Sequence, residues 1–155
     1  MTEAESSAIS RMKCREIMTK NVRTATSDTS LRDVAALMRD GDMGAVPVVD
    51  GGKLIGIVTD RDIVVRVIAD GKGADTAAGE AMTAELFTVA PDDFVFEAIR
   101  LMGDKQIRRV PVIDNNGHLA GIIAMADVVL ETEDEREIAE TLEEISSGSS
   151  FWSKN

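Results

Sequence analysis

The chain has 155 residues, 44% of them apolar and 3% aromatic, with a net charge of −11. The apolar content supplies a globular core and excludes global disorder. The acidity and the near-absence of aromatic platforms exclude a partner held through a phosphate backbone. One cysteine and one histidine exclude an internal disulfide and a zinc cage of Cys and His built by a single chain.

Residues 1–12 are small, polar and mixed in charge, with no signal-peptide core, and form a lead-in. The longest apolar stretch, residues 119–126, is too short for a membrane span, so a soluble cytoplasmic protein is expected. Residues 13–19, KCREIMT, predict a short helical turn, and residues 22–25 a short strand. Asp28, Thr29 and Ser30 are cap candidates for a helix whose Leu31, Val34, Ala35 and Met38 form one buried stripe. Two apolar runs, 46–49 and 54–58, flank the turn Asp50-Gly51-Gly52 and predict a β-hairpin. Pro47 lies inside the first run and cannot donate to a ladder, which predicts an edge or an irregularity there. The polar corner 59–62 (TDRD) follows, and then apolar residues at helical spacing up to Gly71. A strand therefore hands over to a helix at Thr59 to Asp62, where unpaired backbone N–H groups suit an anion.

The same order then recurs. Met18 returns as Met82, Leu31 as Val95, Met38 as Met102, Pro47 as Pro111 and Asp50 as Asp114, at a constant offset of 64. One extra residue in the second turn moves the offset to 65, aligning Gly56 with Gly121 and Asp62 with Asp127. The chain thus divides into a first repeat (13–71), a linker (72–76), a second repeat (77–131) and a tail (132–155). In the second repeat the stripe is Val95, Ala98, Ile99 and Met102, and the short strand is 86–89. Two such stripes exceed what so small a unit can bury, which predicts exposed apolar helix surface and a homodimer. The segment 131–144 contributes −7 of the net charge, and Ile138, Leu142 and Ile145 give it a narrow apolar stripe. A serine-rich break at 146–150 and the Phe151-Trp152 pair end the chain.

The repeated pattern of an IMT-like turn, VPVVD, GIVT and a DRD corner resembles tandem cystathionine-β-synthase (CBS) domains, in the form of small bacterial proteins with two repeats. The resemblance implies an α/β (α+β) fold of two βαββα units about a pseudo-two-fold axis, with a C-terminal helical extension. It also implies clefts between the repeats that take an adenosine-containing ligand such as AMP or ATP, and a homodimer. By that resemblance Asp62 and Asp127 accept from ribose hydroxyls, and Thr59, with Arg61 beside it, meets phosphate. Thr24 and Thr88 line the base pocket. Ala45, Val46 and Pro47, with Val110 and Pro111, form its apolar walls. Arg108 and Arg109 meet phosphate charge. Ala124 stands where Thr59 has its hydroxyl, which weakens phosphate recognition at the second corner.

Among the remaining residues, Met18, Met38, Met82 and Met102 read as packing, His118 as an exposed turn residue and Cys14 as buried. No nucleophile–base–orienter set is present, and Asp60 and Asp62 at a helix start diverge too far to hold a metal well. No enzyme and no required cofactor are expected. Two functions follow: a regulatory module that binds an adenine nucleotide and senses energy or stress, with a regulated protein as a further partner, or a dimerising scaffold with vestigial clefts.

Overall fold

The computed structural model describes residues 11–131. The amphipathic stripe at 138–145, the Phe151-Trp152 end and the lead-in before residue 11 lie outside the described residues. In chain order the elements are α1 (Cys14–Ile17), α2 (Leu31–Gly41), β1 (Ala45–Asp50), β2 (Lys53–Thr59), α3 (Asp60–Asp62), α4 (Ile63–Ile68), α5 (Ala78–Ala81), α6 (Val95–Lys105), β3 (Arg109–Ile113), β4 (Leu119–Ala124) and α7 (Met125–Glu131).

These elements fall into two compact units. The first comprises residues 22–86 and 116–119, and the second, among the described residues, 11–21, 87–115 and 120–131. In the first unit β1 and β2 form an antiparallel pair with Pro47 opposite Ile57 and a bulge at Val48/Val49. A single parallel bridge joins Ala25 to the outer edge of β1, through Ala25 N–H to Pro47 O (2.9 Å) and Val49 N–H to Ala25 O (2.8 Å). On the other edge Ile57 and Thr83 exchange both backbone bonds, at 3.0 and 2.8 Å. The core behind this sheet includes Leu31, Val34, Val46, Val48, Val58, Val67, Ala78 and Ala81.

The second unit repeats the plan. β3 pairs with β4, Val89 bridges to Val112 in parallel, and Thr19 bridges to Ile122. Its core includes Cys14, Ile17, Val95, Ile99, Met102, Val110, Val112, Ile123 and Val128.

Two differences from the expected elements have local causes. The strands expected at 22–25 and 86–89 shrink to single bridges at Ala25 and Val89. A parallel ladder extended toward Arg23 would need the next donor from residue 47, and toward Phe87 from residue 111. Both are proline and have no N–H to give. Of the expected edge or irregularity, β1 shows the irregularity, the bulge at Val48/Val49 directly after Pro47, while Pro47 and Pro111 themselves are buried. The second difference concerns exposed apolar surface. The α6 stripe is buried throughout, and in the α2 stripe only Ala35 is exposed. Among the described residues the exposed large apolar side chains instead lie on α4, with Val64 56%, Val65 50% and Ile68 65% accessible, on α7, with Val129 at 44%, and at Phe94 (39%), directly before α6.

Both long helices close in the same way. Asp42 (φ 49) and Gln106 (φ 58) take the left-handed conformation, and Met43 and Ile107 donate to Met38 O and Met102 O. Among the described residues no helix is long and apolar enough to cross a membrane.

Candidate functional site

The first polar corner forms because β2 ends on a residue that can cap the helix it precedes. Thr59 is extended (φ −103, ψ 163) and its Oγ1 accepts from the Asp62 N–H at 3.1 Å. The Asp62 Oδ2 in turn accepts from the Thr59 N–H at 2.9 Å. This reciprocal box satisfies two donors that a helix start leaves open. It also fixes the carboxylate, whose side chain is only 13% accessible. Oδ1 of Asp62 lies 3.9 Å from Arg66 Nε. The corner is tied to the start of β1 by Asp60 N–H donating to Gly44 O at 3.0 Å.

Around it, Ala45, Val46 and Pro47 are buried, Thr24 and Arg61 are exposed, and Thr24 directly precedes the Ala25 bridge. Arg61 makes no ion pair among the described residues. The structure therefore brings Thr24, Ala45, Val46, Pro47, Thr59, Arg61 and Asp62 into one unit.

The second corner keeps half of this arrangement. Ala124 N–H donates to Asp127 Oδ2 at 2.9 Å, matching the Thr59–Asp62 bond. Ala124 has no hydroxyl to return. Met125 N–H donates to Arg108 O at 2.8 Å, where Asp60 meets Gly44 in the other unit. Two arginines thus replace Gly44 and Ala45 beside this corner. Arg108 and Arg109 are exposed and make no ion pair among the described residues. Val110 and Pro111 are buried, and Thr88 is half-buried next to the Val89 bridge. Thr88, Arg108, Arg109, Val110, Pro111 and Asp127 share the second unit.

Sequence reasoning missed Arg66. Its Nη1 lies 3.1 Å from Met82 O and 3.4 Å from Ala81 O while its Nε faces Asp62. The i,i+4 spacing from Asp62 was the available signal for the ion pair. The carbonyls it meets, fifteen and sixteen residues on, left no trace in any motif.

Among the described residues no group of three or more His, Cys, Asp or Glu could hold a metal ion. Cys14 is fully buried, and burial, with Asp93 and Glu97 nearby, pushes its thiol up to about 12. It stays protonated and unreactive near neutral pH.

Two units, each with a hairpin, a capped carboxylate corner and a flanking helix, define a tandem repeat module. The chain belongs to the CBS-domain family, whose model matches residues 14–69 and 78–134. It is similar to the CBS domain-containing protein YhcV of Bacillus subtilis (strain 168), with 38% identity over 116 residues, covering 75% of this chain and 82% of that protein. Among solved structures it resembles Hypoxic Response Protein I with two coordinated zinc ions, at TM-score 0.72 and 34% identity, covering 77% of this chain and 98% of that one. It also resembles CBSX2 in complex with AMP, at TM-score 0.69 and 26% identity, covering 77% and 94%.

Proposed function

We propose that this protein is a regulatory, non-catalytic module that binds an adenosine-containing nucleotide, AMP- or ATP-like, and reports energy or stress state as a cytoplasmic homodimer. The observation that carries this reading is the pinned carboxylate. Asp62 and Asp127 each have Oδ2 engaged by a backbone N–H, which orients the other oxygen to accept from ribose hydroxyls. The AMP in CBSX2, a related fold, supports the ligand class.

At the first corner the Thr59 hydroxyl accepts from Asp62 N–H and keeps its own proton to donate to phosphate. Arg61 adds positive charge there. At the second corner Arg108 and Arg109 supply the charge and no hydroxyl is present. Thr24 and Thr88 stand at the rims for the base. Ala45, Val46 and Pro47, with Val110 and Pro111, form the apolar backing. The exposed Val64, Val65 and Ile68 support the homodimer, since contiguous apolar surface of this kind marks association.

Calorimetry with AMP, ATP and adenosine on wild type, Asp62→Asn and Asp127→Asn tests the reading. Loss of a hydrogen bond to a charged group costs roughly 1.5–3 kcal/mol, so Asp62→Asn should weaken binding by about one to two decades, and more than Asp127→Asn does. A wild type that binds none of the three removes the nucleotide reading and leaves the dimerising scaffold. Light scattering at micromolar concentration checks the assembly, and a monomeric mass refutes the homodimer.

A further inference from the structure

We propose that Arg66 is a positioning residue that ties the Asp62 corner to the segment 78–83 docked on the edge of β2, so that a hydroxyl donated to Asp62 tightens that segment. The coupling to a ligand rests on the nucleotide reading above, whereas the anchoring does not.

Three observations converge on Arg66. The first is what it holds. α5 is a single turn, and its last carbonyls have no partner within the helix. Arg66 Nη1 reaches Met82 O at 3.1 Å and Ala81 O at 3.4 Å. A cation at a helix C-terminus is favoured there. The second is what that turn positions. Directly after it, the Met82 side chain packs on Gly56, and Thr83 exchanges both backbone bonds with Ile57. Arg66 therefore anchors the turn that leads into the Thr83–Ile57 bridge on the edge of β2. The third is where the rest of the guanidinium lies. Its Nε faces Oδ1 of Asp62 at 3.9 Å, while Oδ2 is occupied by the Thr59 N–H.

The carboxylate and the carbonyls thus share one guanidinium, through Nε and Nη1. A hydroxyl that donates to Oδ1 satisfies the carboxylate, and the guanidinium then turns toward the carbonyls of Ala81 and Met82. α4 is wound to allow this reach, with i→i+5 bonds from Ala69 N–H to Val64 O (2.9 Å) and Lys72 N–H to Val67 O (2.8 Å). Wide turns of this type concentrate at functional positions.

The other repeat provides an internal control. Met18 donates to Cys14 O at 3.0 Å, and Thr19 exchanges bonds with Ile122 at 2.8 and 3.1 Å, as Met82 and Thr83 do in the first unit. At the offset of 65 the residue matching Arg66 is Glu131, of opposite charge. The same backbone docking is therefore made there with no arginine at the matching position.

Hydrogen exchange on the full chain separates these cases. In ligand-free Arg66→Met the amides of Met82, Thr83 and Ile57 should exchange roughly tenfold faster, with Met18, Thr19 and Ile122 unchanged. Arg66→Lys should restore part of the protection. An equal increase at both sets, or none at either, overturns the anchoring. With AMP, Met82 and Thr83 should exchange more slowly in wild type and not in Arg66→Met. AMP that binds by calorimetry yet slows these amides equally in both proteins, or in neither, overturns the coupling. If AMP does not bind wild type, the nucleotide reading and the coupling that rests on it both fall, and the ligand-free comparison still decides the anchoring.

Discussion

The corners at residues 59–62 and 124–127 are one device built from different residues. Both end a hairpin strand on an N–H that donates to a carboxylate three residues on, at 2.9 Å in each. At the first, Thr59 returns the bond through its hydroxyl and Arg66 stands behind the acid. At the second, Ala124 returns nothing, and two arginines without ion-pair partners among the described residues take the places of Gly44 and Ala45. The orientation of the carboxylate depends on the bond the corners share. Under the nucleotide reading, any selection between charged and uncharged ligands would depend on what they do not share. An internal repeat thus lets the scaffold be conserved within one chain while its chemistry diverges.

The largest expected effect breaks the shared part of that scaffold. A Cβ at Gly121 would meet Thr19 O at 2.7 Å and Met18 Sδ at 2.8 Å. A Cβ at Gly56 would collide with the Met82 side chain, while the nearest backbone atom, Thr83 O, is 3.1 Å away. A methionine can move, and a paired backbone carbonyl cannot do so without breaking its bridge to Ile122. Gly121→Ala should therefore destabilise by about 2–3 kcal/mol and Gly56→Ala by about 1 kcal/mol less. Chemical denaturation of the two variants checks the order, and an equal loss would mean that the backbone carbonyl is not the limiting contact.

The difference between the corners can be sharpened by exchanging it. Thr59→Ala removes an N-cap and should cost about 1 kcal/mol. Ala124→Thr should build the missing half of the box and add up to about 1 kcal/mol, because Asp127 already supplies the other half. Under the nucleotide reading, Thr59→Ala should weaken AMP more than adenosine. Melting curves and calorimetry on both variants would show whether the hydroxyl acts in folding alone or also toward a ligand.

How much of this was legible in the sequence follows from the range of each interaction. The stripes of α2 and α6, the hairpins and the place of the corners rest on contacts within a few residues, and periodicity reveals such contacts. Sequence reasoning missed the box inside the first corner, which takes the Thr59 and Asp62 N–H groups where open donors for an anion were expected. The bridges from Thr19 to Ile122 and from Thr83 to Ile57 join segments that share no pattern, so no spacing predicts them. Gly56 and Gly121 were visible as repeated residues. Their reason, the methionines lying on them, required coordinates. The collapse of the short strands to single bridges was in principle readable. Pro47 and Pro111 lack a donor on sequence alone, but the ladder that needs this donor is the parallel one rather than the hairpin.

The smallest expected effect tests whether the two cores, as well as the corners, have diverged. Cys14 and Ala78 occupy the same position in the two repeats, and both are fully buried. Only the thiol can titrate. Its folded value is raised from 9.0 to about 12, chiefly by burial and then by Asp93 and Glu97. Because the value is raised, the folded chain retains a proton that the unfolded chain gives up. The thiol's contribution to stability is therefore fully present below pH 9 and is lost as pH rises from 9 toward 12. Over that window the loss approaches about 1.4 kcal/mol per pH unit at its steepest. Cys14→Ala makes the second core resemble the first. At neutral pH it should cost about 0.5–1.5 kcal/mol for one small buried group. Above pH 9 its stability should decline less steeply than that of wild type, and denaturation at pH 7, 9 and 10 measures the difference. Parallel curves across that range would show that the thiol ionises as readily in the folded chain as in the unfolded one, which its burial does not allow.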